Sequence, residues 1–236
     1  MGLLRNLLAV LACSIMAIPV HAAPANPQQG TDYRVLPKAQ LIDSGNKVEV
    51  TEFFWYSCPH CNEFDEPLTA WARKNADQIV FKRVPVAFRD SFVPQQKLYY
   101  TLEGMGKLDQ LHGKVFQAIH VERNRLDTDA KVAEWAVKQG LDKQKFMDLY
   151  SSFGVQAKVS RATQMQNAYG VDGVPLIAIG GQYLTSPSIV GAGLRNQPES
   201  ALHAATFQVM DWLVTQAAKN SNSTLAPAGG VGNKKP

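Results

Sequence analysis

The sequence predicts an α/β fold in which one sheet is assembled from two separated stretches of chain, with a helical domain inserted between them. Three observations carry this. Residues 47–56 (KVEVTEFFWY) alternate and then turn apolar and aromatic, as a strand at a sheet centre does. From Pro94 to about residue 169 the apolar spacing becomes helical. Residues 174–179 then read as a strand again, Gly180 and Gly181 as a tight turn, and 182–184 as the returning strand.

The elements follow in order. After the first strand, Pro59 suits the first position of a helix, where a missing N–H costs nothing. Phe64, Leu68, Trp71 and Ala72 then fall on one helical face. Pro67 lies inside that helix and should kink it. Residues 79–88 read as a second strand. A strand–helix–strand unit makes the two strands parallel, with a right-handed crossover. Helices are expected at 94–104, 108–121, 128–139, 142–152 and 155–169. Thr128 is a cap ahead of Val132, Trp135 and Ala136, and Gly140 a stop. Met105, Met147, Met165, Tyr99, Tyr100, Trp135 and Phe146 are assigned to packing. A last helix runs over about 198–218 with Leu202, Ala205, Val209, Trp212 and Leu213 on one face. No internal repeat is present.

Composition narrows the function. Lys+Arg exceed Asp+Glu by 24 − 20 = 4 in 236 residues, and no basic block exists, which argues against a nucleic-acid partner. No apolar run reaches the roughly 18–20 residues of a membrane span. Residues 1–22 read as a cleaved signal peptide: Arg5, an apolar stretch over 7–18 broken by Ser14, Pro19, and Val20-His21-Ala22 before the cut. The alternative of a lipidated Cys13 would leave a greasy segment on the mature chain. Cleavage leaves two thiols, Cys58 and Cys61, in a protein exported to an oxidising compartment. Residues 220–236 have the composition of a disordered tail. The expected division is therefore a signal peptide (1–22), a sheet domain (23–89 and 170–219), an inserted helical domain (90–169) and the tail.

The chemistry lies in Cys58-Pro59-His60-Cys61 at a strand-to-helix junction. A zinc half-site lacks a second ligand pair, so no metal is expected. Haem attachment needs His directly after the second Cys, where Asn62 stands. A purely structural disulfide would close a tiny, strained loop. A redox dithiol fits better. The first sulfur meets the free N–H groups and positive dipole end of the helix, and His60 can add a cation or a donor. Lowering the Cys58 pKa stabilises the reduced form and makes the disulfide a stronger oxidant. No cofactor is called for.

Residues 52–61 (EFFWYSCPHC) and Gly173-Val174-Pro175 resemble the active-site segment and the cis-proline loop of the DsbA family, periplasmic thiol:disulfide oxidants of the thioredoxin superfamily. That family is itself a reference case for a low cysteine pKa and an oxidising disulfide, so the direction carries over by resemblance. The resemblance covers about 45–215 and implies a thioredoxin-like fold with an inserted helical domain. It implies that Cys58 is the attacked sulfur, Cys61 its buried partner and His60 the residue that tunes Cys58, with Pro59 counted in the same catalytic segment. It implies that Val174 and Pro175 line the peptide site, and that Glu52 relays a proton with a basic partner, either Lys82 or Arg83, on the next strand. The partners it implies are newly exported cysteine-containing proteins and a membrane quinone-reducing oxidase resembling DsbB, with the chain a monomer in the periplasm. A disulfide isomerase is the weaker enzyme reading, because only a short stretch precedes the first strand. A peptide-binding holdase with an inert disulfide is the reading from another class.

Overall fold

The computed structural model describes residues 26–194 and 197–224. The expected signal peptide, Cys13 and residues 225–236 lie outside the described residues. Five strands form one mixed sheet: β1 (Arg34–Val35), β2 (Val48–Phe54), β3 (Ile79–Pro85), β4 (Leu176–Ile179) and β5 (Tyr183–Thr185), in the spatial order β1-β5-β4-β2-β3. β2 and β3 are parallel, as the strand–helix–strand unit requires, and the remaining pairings are antiparallel. The sheet does join the two separated halves of the chain, because β4 pairs directly with β2.

The α-helices among the described residues are α1 (Pro59–Lys74), α2 (Val93–Gly104), α3 (Leu108–His120), α4 (Asp129–Lys138), α5 (Lys143–Tyr150), α6 (Phe153–Ala168), α7 (Pro187–Gly191) and α8 (Glu199–Thr224). Helices α2 to α6 match the five expected segments within a few residues. Their starts follow local chemistry: Thr128, Asp142 and Ser152 each accept a hydrogen bond from a first-turn N–H. Gly140 takes a positive φ of 80° after α4. Pro67 sits within α1 without ending it.

The strands are shorter than expected at their far ends. β2 stops at Phe54 because residues 55–58 turn, with Cys58 N donating to Trp55 O at 2.9 Å. β3 stops at Pro85, opposite Phe54, where β2 turns away, with Val86 N donating a last bond to Phe54 O at 2.8 Å. The final helix runs past its expected end at 218 to Thr224, so it occupies the first residues of the segment 220–236 assigned to a disordered tail. Polar composition suggested a tail, but a helix already nucleated and packed through Leu213 and Ala217 extends at little cost per residue.

Two cores flank the sheet. On one face α1 and α8 bring Phe64, Leu68, Trp71, Val209 and Leu213 against Val50, Ile177 and Ile179. On the other, the helical insertion packs Leu98, Leu102, Phe116, Trp135 and Phe146 with Phe53, Phe54 and Ala178. The edge hairpin turns through Gly180 and Gly181 at φ 58° and 70°, the left-handed pair such a turn needs. A Cβ on Gly181 would also run into the carbonyl of Gln40. Gly181→Ala is therefore expected to destabilise the protein by more than about 1 kcal/mol, read as a lowered urea midpoint with an unchanged slope.

Candidate active site

β2 ends one turn before α1, and that junction places Cys58 as the cap of α1, with Pro59 at its first position. The Cys58 sulfur accepts from Cys61 N at 3.4 Å. Both cysteines are free thiols, Cys58 7% exposed and Cys61 fully buried. The Val174-Pro175 peptide is cis, and Cys58 Sγ donates to the Val174 carbonyl at 3.3 Å. Pro59 and His60 are exposed, Pro175 is buried and Val174 half-buried.

The two sulfurs differ in their ease of ionisation. A hydrogen bond from the Cys61 thiol pulls the Cys58 pKa down from 9.0 to about 6, aided by the N–H groups of Cys61 and His60 and by the His60 charge, against the opposing effect of burial. Burial pushes the Cys61 thiol well above its usual range, and the Cys58 and Glu52 charges add to this. The pair can thus hold one negative charge, on the outer sulfur.

Glu52 lies beneath the cysteines on β2, 1% exposed. Burial raises its pKa from 4.5 to about 7, even though Arg83 opposes the shift. The register pairs Glu52 with Arg83, and Arg83 Nε donates to Glu52 Oε2 at 2.8 Å. Lys82 points to the other face and bonds Glu49 Oε2 at 2.6 Å. The basic partner left open by the sequence is therefore Arg83.

Arg83 also donates to Asp65 Oδ1 at 2.8 Å and Thr69 Oγ1 at 2.7 Å. Asp65 lies 3.2 Å from His112 Nε2, and His112 Nδ1 lies 2.8 Å from the Tyr56 hydroxyl. These partners assign the His112 tautomer: Nε2–H faces the carboxylate and Nδ1 accepts from Tyr56. Burial lowers the His112 pKa. For Asp65, burial works upward, but the hydrogen bond from His112 and the Arg83 charge hold it below the usual carboxylate range. Glu63, Asp65 and Glu66 lie in the second turn of α1, and Asp65 ties α1 to β3 and α3.

Sequence reasoning missed Tyr56, Asp65, His112 and the residues that strap the turn at 55–57 to the helical insertion. Gln95 on α2 donates to Ser57 Oγ at 2.7 Å, His120 on α3 reaches Tyr56 O at 2.8 Å, and Trp55 stacks on Phe92 with centroids 3.8 Å apart. Only Asp65, seven residues after Cys58 and so on the same helical face, left a trace in the sequence. His60 stands beside Glu199 at the start of α8, Nδ1 to Oε1 3.2 Å.

Known proteins agree with this architecture. The family described as the DSBA-like thioredoxin domain matches residues 49–202. The thiol:disulfide interchange protein DsbA of Burkholderia cepacia is 40% identical over 208 residues, spanning 88% of this chain and 93% of that protein. The protein of the same name from Bordetella parapertussis is 39% identical over 211 residues, spanning 89% and 96%. The crystal structure of Pseudomonas aeruginosa DsbA superposes with a TM-score of 0.73 at 30% identity, covering 82% of this chain and 95% of that one. The fold is thus thioredoxin-like with a helical insertion, as the sequence led us to expect. With a Cys-x-x-Cys pair at the head of α1 in that fold, the chain belongs to the DSBA-like thioredoxin family and is a thiol:disulfide oxidoreductase acting on cysteine-containing proteins in oxidative folding.

Proposed function

We propose that the chain, exported to the periplasm by cleavage after Ala22, works there as a monomeric oxidant that donates its Cys58–Cys61 disulfide. A substrate thiolate attacks Cys58 Sγ, and the Cys58–Cys61 bond breaks. The electron pair leaves on Cys61, whose raised pKa makes it take up a proton. Glu52, near pKa 7 beneath the pair, is the proton source. A second substrate thiolate then attacks the substrate's own sulfur in the mixed disulfide, and Cys58 departs as a thiolate. Substrate loses two electrons and the enzyme gains them. A membrane quinone-reducing oxidase resembling DsbB restores the disulfide.

The observation that carries this reading is the asymmetry of the two sulfurs. A Cys58 thiolate stable near pH 7 favours the reduced enzyme, and therefore electron flow out of the substrate. His60 and Pro59 shape the first turn around that sulfur. Val174 and Pro175 form the peptide site, where a substrate in extended form adds alongside the loop. The thioredoxin-like domain (23–89 and 170–219) supplies the chemistry, and the inserted domain (90–169) supports the turn from which Cys58 emerges. Redox equilibration with glutathione tests the proposal: a couple more oxidising than glutathione is expected, and a strongly reducing one would overturn it.

The causes of the low Cys58 pKa rank the variants. Cys61→Ala removes the largest cause and should raise the Cys58 pKa more than His60→Leu, which removes a lesser one. Thiolate ultraviolet absorbance against pH checks the order. An unchanged midpoint in His60→Leu would remove His60 from its tuning role.

A further inference from the structure

At the edge of the dithiol, α1 and α8 set two pairs of ligand-type side chains facing each other. His60 and Glu63 are one turn apart on α1, and Glu199 and His203 one turn apart on α8. The ligand atoms of His60, Glu63 and Glu199 lie within 4.8 Å of one another. His60 Nδ1 is 3.2 Å and His203 Nε2 3.4 Å from the same oxygen, Glu199 Oε1. A zinc ion with tetrahedral bonds of about 2.0–2.1 Å holds its ligand atoms about 3.3–3.4 Å apart, close to the two His–Glu199 distances; His60 and Glu63 would draw in by about an ångström and His203 would turn in from the edge of the cluster.

His203 supplies a second, independent observation. Its side chain is 8% exposed, with its ring against Phe64 at a centroid distance of 4.9 Å. Its Nε2 is buried and makes no well-formed hydrogen bond, with only the Glu199 carboxylate near it, at 3.4 Å. Burying a ring nitrogen without a partner is unfavourable unless something accepts or coordinates it. The mechanism above makes no use of Glu63, Glu199 or His203.

We propose that His60, Glu63, Glu199 and His203 form a zinc site bridging α1 and α8 beside Cys58. Two imidazole nitrogens with two carboxylates suit zinc, whereas calcium and magnesium prefer all-oxygen shells. Exposed His60 and Glu63 leave the ion a path from solvent. Zinc is redox-inert and takes no electron. Its binding would turn the His60 ring toward the metal and pin the mobile end of that side chain to α8.

The test uses the untagged protein in its disulfide form, so that no thiol competes for the metal. Calorimetric titration with zinc chloride should show one ion per chain. Affinity should fall about tenfold or more in Glu199→Gln and in His203→Gln, and stay unchanged in Glu66→Gln, an exposed acid of α1 outside the cluster. The thermal midpoint should rise with zinc in the parent protein and stay flat in Glu199→Gln. Absence of binding up to millimolar zinc, or undiminished binding in Glu199→Gln, overturns the proposal. Should the His203 variant fail to fold, the partly exposed Glu199 decides the matter alone. The glutathione couple is a separate measurement, so the oxidant reading stands or falls without this site.

Discussion

Cys58→Ser should reduce the rate of substrate thiol oxidation to that of the uncatalysed reaction, because the atom that receives the substrate sulfur is gone. Cys61→Ser should behave differently. Its Cys58 is still poised at the cap of α1, but no neighbouring sulfur can displace a bound substrate. Once joined to an oxidised substrate thiol, it should persist as a mixed disulfide, visible on non-reducing gels and released by a small thiol. The proposed roles rest on burial: Cys61 is fully buried, while Cys58 keeps a small opening beside the exposed His60. Adducts trapped by Cys58→Ser and not by Cys61→Ser would reverse the assignment.

The second large effect is expected at Arg83. Its guanidinium serves Glu52 and Asp65 together, with side-chain exposures of 15%, 2% and 16%. Arg83→Met leaves both carboxylates without their shared cation. Losing one partner of a buried pair costs about 3–5 kcal/mol, so the unfolding free energy near pH 7 should fall by that order. The pH dependence has a definite sign. The pKa of Glu52 is already raised, from 4.5 to about 7, and removing the cation raises it further. A carboxyl raised in the folded state favours folding below its unfolded pKa, and that contribution is lost as pH rises through the folded value. The Glu52 part of the penalty should therefore be small near pH 4.5 and grow through neutrality. Denaturant midpoints for parent and variant at pH 5 and pH 8 check this, and a larger gap at pH 5 would contradict it. The variant should also form mixed disulfides with an altered pH profile, because Glu52, the proposed proton source for Cys61, stays protonated over a wider range.

Much of this architecture was legible because it is written in short-range patterns. The apolar and aromatic run before Cys58 marks β2, Pro59 marks the first turn of α1, and paired glycines mark the hairpin. The helical insertion announced itself by period and caps. β1 and α7, with two and five residues, are too short to carry a period. The network under the cysteines was hidden for another reason. Whether Lys82 or Arg83 meets Glu52 depends on the register of a parallel pair, and a shift of one residue exchanges the two faces. His112 and Tyr56 meet across 56 residues through tertiary packing alone. The same holds for Glu199 and His60, which are 139 residues apart.

The contact between Cys58 and the Val174 carbonyl joins positions 116 residues apart in the chain. A chain synthesised from its N-terminus therefore presents its cysteines well before the loop that abuts them. Until residues 174–179 have followed and β4 has docked on β2, Cys58 lacks the carbonyl contact and the cis-proline loop beside it, although the α1 groups that lower its pKa are already close by in the chain. The surface beside Cys58 that the proposed peptide site needs is thus completed only when the last third of the chain folds back onto the first.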